Sequence, residues 1–467
     1  MATTYQSDEL AKFGEEGLEP MHPSSQCLNG QLSLCIIGIA ESEIPIDVDK
    51  IMPPLRSDLL LVSPGFSSIV VRKNGQQWWK RVEVQFEDHV VIPTFPPNLS
   101  PESYTKHFDE YFSKISLDKL PETRPLWELH IIKYPTQNAA GTLVFKMHHA
   151  LGDGFSIMGA IFSMLKRADN PSLPLTFPSA SSAPKEIKEN NILKSGLGLV
   201  SRCFYTVSDT VSSMMHTAWF GDKRSAIRSG TPSVEYLPMH TTKITLSLDD
   251  IRKVQSKIHV SVNDVVVGMI FYGTHLYTKM VEKSSTESQK TALVVLNTRM
   301  LDGYRNLDEM LEKNLWGNKF SFIHIPLPTH SDGEKADLTS SILEARKIIQ
   351  RNRNSMAVIL NGLLLALMDK LKGSEAVSKY VYTTMNNCSI CVSNLIGPKE
   401  KLAIADHPIS SIFFTVAGVP MSLIFPVISY MGKLTIGISG EKNLIDTQLL
   451  ASCMTEAFKK ILEETSM

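Results

Sequence analysis

The run His148-His149-Ala150-Leu151-Gly152-Asp153-Gly154 puts two imidazoles, a carboxylate and two glycines within seven residues. A β-branched and aromatic stretch precedes it, and an apolar stripe of Ile157, Ala160, Ile161 and Leu165 follows, so the run sits on a strand-to-helix turn. Adjacent strand residues point to opposite faces, so one histidine faces a cavity and the other supports it. A neutral imidazole, with an ordinary pKa of about 6.5, is the usual group for taking a proton from a hydroxyl near pH 7. The expected catalytic set is His149 as base with His148 and Asp153 beside it. The positive end of the following helix should disfavour imidazolium and keep the base free. Asp153 either orients the imidazole as a triad carboxylate does, or holds the turn through an arginine. The second role is favoured, with Arg299 at the end of the predicted strand Thr291–Asn297 as its partner. Gly152 and Gly154 let the backbone turn tightly and leave space beside the base.

Two blander readings compete: a paired-histidine core turn without chemistry, and a metal site. Adjacent histidines lack the i, i+4 face of a zinc-binding helix. Cys388-Ser389-Ile390-Cys391 has no second cysteine pair, and residues three apart on a strand face opposite ways, so it reads as core packing. No metal is expected. No Gly-X-Ser-X-Gly elbow accompanies the histidines, which favours direct attack by an activated hydroxyl over a covalent serine route.

The elements that must position these groups alternate between strand and helix. Leu32 to Ile39 reads as a buried strand, Asn74-Gly75 as a hairpin turn, and Trp79 to Val91 as a half-buried strand in which Val82, Val84 and Phe86 alternate with polar residues. Ser100 caps a helix that has Pro101 at its first position and ends near Lys114. Strands follow at Trp127 to Tyr134 and Gly141 to Met147. Pro171, Pro174, Pro178 and Pro184 mark a linker, followed from Asn191 to Phe220 by an apolar stripe at helical spacing. Such a basic-flanked amphipathic helix either lies in a bilayer interface or covers a core. The second half repeats the alternation: a strand at Thr242 to Leu246, a helix starting at Ser247, and a long helix capped by Ser261. Strands at Thr291 to Asn297, Lys319 to Pro326 and Cys388 to Ser393 follow, with a helix at Leu338 to Asn352 among them.

With 467 residues, 43% hydrophobic and 20% charged, the chain reads as globular and too long for one core. The division it suggests is 1–170 as a unit carrying the histidine motif, 171–235 as linker and amphipathic segment, and 236–467 as a second unit. A net charge of -1 supplies no field to attract nucleic acid. Six cysteines without framework spacing suit a reducing compartment, and the first residues lack the basic and apolar regions of a secretory signal. Pro408 to Gly432 carries no charge and is long enough to span hydrocarbon, but its prolines and β-branched content predict consecutive buried strands instead.

In these motifs the chain resembles the CoA-dependent acyltransferase superfamily, and within it the plant wax ester synthase/diacylglycerol acyltransferase family. The resemblance rests on Pro125-Leu126-Trp127, the His148 to Gly154 run, Asn263-Asp264, Trp316-Gly317-Asn318 and Ser393-Asn394-Leu395-Ile396-Gly397-Pro398. It implies a mixed α/β (α+β) fold of two chloramphenicol-acetyltransferase-like domains forming a pseudo-dimer with an interfacial tunnel. It implies O-acyl transfer from acyl-CoA, a co-substrate, to a long-chain fatty alcohol or to diacylglycerol, with His149 as base and no cofactor. Gly154, Asn263 and Asn394 are the implied substrate-binding residues, and Arg299 and Gly152 structural ones. The implied location is the cytosolic face of the endoplasmic reticulum membrane, with the plasma membrane as a second site. Ser-Asn-Leu-Ile-Gly-Pro departs from the Ser-Asn-Val-Pro-Gly-Pro common in bacterial members, which bears on tunnel shape and substrate choice. Two rivals remain: an acyltransferase of secondary metabolism, whose Asp-Phe-Gly-Trp-Gly motif does not appear, and a catalytically silent lipid-binding protein, which predicts a broken motif.

Overall fold

The computed structural model describes residues 17–175, 221–282, 290–299, 316–328, 338–354, 365 and 367–466. The strands are β1 Leu18–Pro20, β2 Cys35–Ser42, β3 Ser68–Lys73, β4 Gln76–Arg81, β5 Val90–Val91, β6 Trp127–Ile132, β7 Gly141–His148 and β8 Leu165–Arg167, then β9 Met239–Ser247, β10 Thr291–Asn297, β11 Phe320–Pro326, β12 Ile390–Leu395, β13 Leu402–Ile404, β14 His407–Ala417, β15 Leu423–Tyr430 and β16 Lys433–Glu441. The helices are α1 Pro23–Leu28, α2 Val48–Pro54, α3 Pro101–Leu117, α4 Gly154–Ser163, α5 Leu248–Ile258, α6 Val262–Val281, α7 Leu338–Asn354, α8 Ser374–Asn386 and α9 Thr447–Ser466.

One sheet runs β5-β6-β7-β2-β14-β13-β8 and a second β11-β10-β12-β15-β16-β9. Every residue of β7 is buried, because the sheet is covered on both faces. Ile36, Gly38 and Ala40 face α4 across a cavity, while Lys146 and His148 alternate onto the opposite face. The second sheet packs against α6, which is apolar on most sides and starts with a reciprocal Ser261–Asp264 capping box. A third apolar cluster joins the two halves: Leu28 and Leu34 from the first meet Leu293, Met385 and Ile424 from the second.

The sequence division at residue 235 does not hold for the sheets. Leu402 to Ala417 leaves the second half and completes the first sheet, with β14 antiparallel to β2 from Ile409↔Ser42 to Ala417↔Cys35. At this seam Lys243 of β9 donates to Glu41 of β2 at 2.6 Å. The apolar stretch from Pro408 to Gly432 is thus two strands from two sheets, β14 largely half-buried and β15 buried. Among the described residues no helix is long and apolar enough to cross a membrane.

The strand expected through Val91 ends at Arg81. β4 pairs with β3 only as far as Ser68↔Arg81, and before Ser68 the chain coils into a short helix, so residues 82–85 have no strand to pair with. Their alternation reflects an extended tether that ends with Phe86 in the core. The strand expected at Leu32 starts later, at Cys35, and continues through Ser42, where β14 and β7 supply partners on both sides. The strand expected at Cys388 likewise starts later, at Ile390. The expected amphipathic helix from Asn191 to Phe220, and the linker beyond Leu175, lie outside the described residues.

Candidate active site

His148 ends β7, and His149 opens a single tight turn before α4. Their backbones are pinned separately. His148 N–H donates to the Leu126 carbonyl at 2.9 Å, and His149 N–H to the Leu34 carbonyl at 2.7 Å. Leu126 precedes Trp127, which is buried against His89 with its indole N–H on the Phe66 carbonyl, so the Pro-Leu-Trp motif is a brace for this strand end.

The side chains separate by role. His148 is buried, and its Nδ1 accepts from the Ala150 N–H at 3.1 Å, which makes Nε2 the protonated nitrogen; that atom lies 3.4 Å from Ser33 Oγ. Burial pushes its pKa down to about 3, so it stays neutral. His149 is partly exposed and edge-on to Phe320. Its Nδ1 lies 2.9 Å from Asn318 Oδ1. The amide orientation of Asn318 is fixed independently, because Nδ2 donates to the His149 carbonyl at 2.9 Å and to Ser25 Oγ at 3.2 Å. Oδ1 is therefore the acceptor, Nδ1 of His149 carries the proton, and Nε2 keeps its lone pair.

Asp153 does not touch His149. It caps α4 by accepting from Ser156 N–H at 3.1 Å, accepts from Lys319 N–H at 2.9 Å, and takes Arg299 at 2.7 and 3.1 Å. The arginine expected from the sequence is thus the residue on Asp153, and the pair is buried. Arg299 also donates to the Gly317 carbonyl at 2.6 Å, and Ser156 Oγ bonds the same peptide strap. Trp316 adds an indole bond to the Leu151 carbonyl at 3.0 Å. The strap 316–319 of the second half therefore lies along the motif turn of the first. His149 is held below its ordinary pKa by burial, against the raising effect of Asp153. The free base thus owes its state to desolvation, and the end of α4 that was expected to protect it carries a carboxylate that works the other way.

The glycines serve close approach. A Cβ on Gly152 would lie 2.7 Å from Ser156 Cβ, and one on Gly154 would lie 2.9 Å from Leu395. Asn394, next to Leu395 on β12, donates to Asn263 Oδ1 on the first turn of α6 at 3.0 Å. These two asparagines meet each other, and among the described residues neither bonds to His149. An apolar pocket reaches Gly154 and Leu395 and is walled by Gly38, Phe145, Ile161 and Phe414. A second, smaller pocket lies on the seam between the halves, beside α3, β9 and β14. Among the described residues no group of His, Cys, Asp and Glu is placed to hold a metal ion. Cys388 and Cys391 are buried free thiols among apolar residues.

Two residues went unanticipated: Asn318 as a neighbour of the base and Ser25 as a partner of Asn318. Asn318 was visible within Trp316-Gly317-Asn318, but nothing in its spacing tied it to His149. Ser25 carried no signal, because α1 itself was not predicted.

Comparison with known proteins bears on the family and the fold. The profile of the wax ester synthase/diacylglycerol acyltransferase catalytic domain matches residues 69–266, and that of the WS/DGAT C-terminal domain matches residues 316–462. The chain is 28% identical over 483 residues to wax ester synthase/diacylglycerol acyltransferase 4 of Arabidopsis thaliana, covering 96% of this chain and 90% of the relative. It is 26% identical to member 11 from the same plant, covering 95% and 94%. Its fold matches the wax ester synthase/diacylglycerol acyltransferase from Marinobacter aquaeolei VT8 with a TM-score of 0.60 at 16% identity, over 96% of this chain and 100% of that one. The starter condensation domain of rhizomide synthetase, solved with C8-CoA, matches with a TM-score of 0.52 at 10% identity, over 99% and 93%.

Proposed function

Because the chain belongs to the wax ester synthase/diacylglycerol acyltransferase family, whose two profiles together span most of its length, we propose that it transfers a fatty acyl group from acyl-CoA to a long-chain alcohol, or to the free hydroxyl of diacylglycerol, with His149 as general base. The observation that carries this reading is the lone pair left on His149 Nε2 when Nδ1 keeps its proton and donates to Asn318 Oδ1.

The chemistry follows from that atom. Nε2 takes the proton of the acceptor hydroxyl as its oxygen attacks the thioester carbonyl. The tetrahedral intermediate collapses, the C–S bond breaks, and the imidazolium returns the proton to the leaving thiolate of CoA. The ester and free CoA account for every atom, with no covalent enzyme intermediate and no cofactor. Hydrocarbon-lined space next to Gly154 supports an aliphatic substrate, since a wall of Ile, Phe and Leu without polar groups offers nothing to a hydrophilic one. Acceptors of this kind reside in bilayers, so the protein works at a membrane surface, at the cytosolic face of the endoplasmic reticulum and secondarily at the plasma membrane, and contributes to wax ester or triacylglycerol synthesis.

The test is purified protein with palmitoyl-CoA and either hexadecanol or diacylglycerol, with lipid products resolved by mass spectrometry. Wax ester or triacylglycerol together with stoichiometric CoA is expected. Absence of ester with every lipid acceptor, from folded protein, would overturn the reading.

A further inference from the structure

The imidazole that acts as base is oriented by a group from the other half of the molecule. We infer that Asn318 is the positioning residue of His149, a neutral substitute for the carboxylate that usually orients a catalytic histidine; this rests on His149 being the base.

Three observations carry it. First, Asn318 binds His149 twice, accepting at Oδ1 from Nδ1–H at 2.9 Å and donating from Nδ2 to the His149 carbonyl at 2.9 Å, so one side chain fixes both the ring and the backbone behind it. Second, Asn318 is itself held: it is buried, Ser25 Oγ takes its second amide hydrogen, and its neighbours Gly317 and Lys319 are tied to Arg299, Ser156 and Asp153. Third, the carboxylate of the motif is fully engaged elsewhere, on Arg299, Lys319 N–H and Ser156 N–H, and is not directed at the ring.

The choice of an amide has a physical consequence. A carboxylate against Nδ1–H adds a full negative charge that stabilises imidazolium, whereas an amide oxygen fixes the same tautomer and raises the pKa of the base only through its hydrogen bond. In a site where burial already disfavours the cation, the amide keeps His149 ready to accept a proton at neutral pH. The titratable and charged groups around it are His148 on β7 and Asp153 on the motif turn, with Arg299 and Lys319 behind the aspartate.

Asn318→Ala and Asn318→Asp separate positioning from folding. Asn318→Ala should lower kcat by about 10²-fold with KM little changed, since a displaced base costs the chemical step rather than binding. Asn318→Asp keeps an acceptor for Nδ1–H, so it should retain more activity than Asn318→Ala. It should also move the acid limb of the kcat/KM profile to higher pH by about one unit or more. A purely structural role would leave that limb in place. Asn318→Ala within about threefold of wild-type kcat, or a folded Asn318→Asp protein with an unshifted acid limb, would overturn the assignment. His149→Ala, run alongside, keeps the two ideas apart. Activity in that variant removes the base itself, whereas an inactive His149→Ala beside wild-type-like Asn318 variants removes only the positioning role.

Discussion

Strand β10 is gripped by a buried carboxylate at each end, and the two grips differ. At its start, Asp222 accepts from the Thr291 N–H at 2.6 Å, the Thr291 hydroxyl at 2.9 Å and the Ser389 hydroxyl at 2.6 Å. Just past its end, Arg299 carries the salt bridge to Asp153. The first grip ties a returning segment to its own sheet through hydroxyl and amide donors. The second crosses between the halves with formal charges on both sides, and the strap it secures presents Asn318 to His149. One end of the strand maintains the fold, and the other maintains the fold and the chemistry together.

The largest effect is expected at Asp153. Asp153→Ala leaves the Arg299 guanidinium buried without its carboxylate and should cost about 3–5 kcal/mol. Chemical denaturation measures that loss, and ester formation should fall with it because the strap loses its anchor. Asp222→Ala strips the acceptor from three buried donors and should cost about 2–3 kcal/mol, with kcat per folded molecule within about twofold of wild type. If Asp222→Ala instead lost kcat while folded, the two ends would not differ as described. Gly152→Ala sets a methyl against Ser156 at 2.7 Å, and overpacking of this kind should cost about 1–3 kcal/mol in urea unfolding. The remaining effect is on pH. His148 has its folded pKa depressed to about 3, so the unfolded chain binds its proton first as pH falls below about 6.5. Stability should decline between these values by at most about 1.4 kcal/mol per pH unit for this one group. His148→Gln should flatten the slope, and an unchanged slope would show that His148 is not its source.

Much of the site's neighbourhood was legible because it is local. The strand-turn-helix around His149, the Ser100, Ser247 and Ser261 caps and the Asn74-Gly75 hairpin follow from spacing and from hydrogen bonds over a few residues. Arg299 could be proposed for Asp153 because a buried carboxylate needs a cation and Arg299 ends a recognisable strand. What escaped the sequence depends on pairing across long separations. Nothing in Val82, Val84 and Phe86 shows that β3 is too short to pair with them. The transfer of β14 to the first sheet is equally hidden, since its alternating Ile and Phe residues suit either sheet. Asn318 lies 169 residues from His149, and only the docking of the halves brings its amide to the ring.

Ester formation depends above all on the proton acceptor. The decisive measurement is the rate of ester formation from palmitoyl-CoA by His149→Ala beside wild type, both shown folded by their unfolding transitions. A fall of about 10³-fold in kcat with acyl-CoA binding retained is the predicted result. Ester formed at the wild-type rate by the folded variant would contradict it.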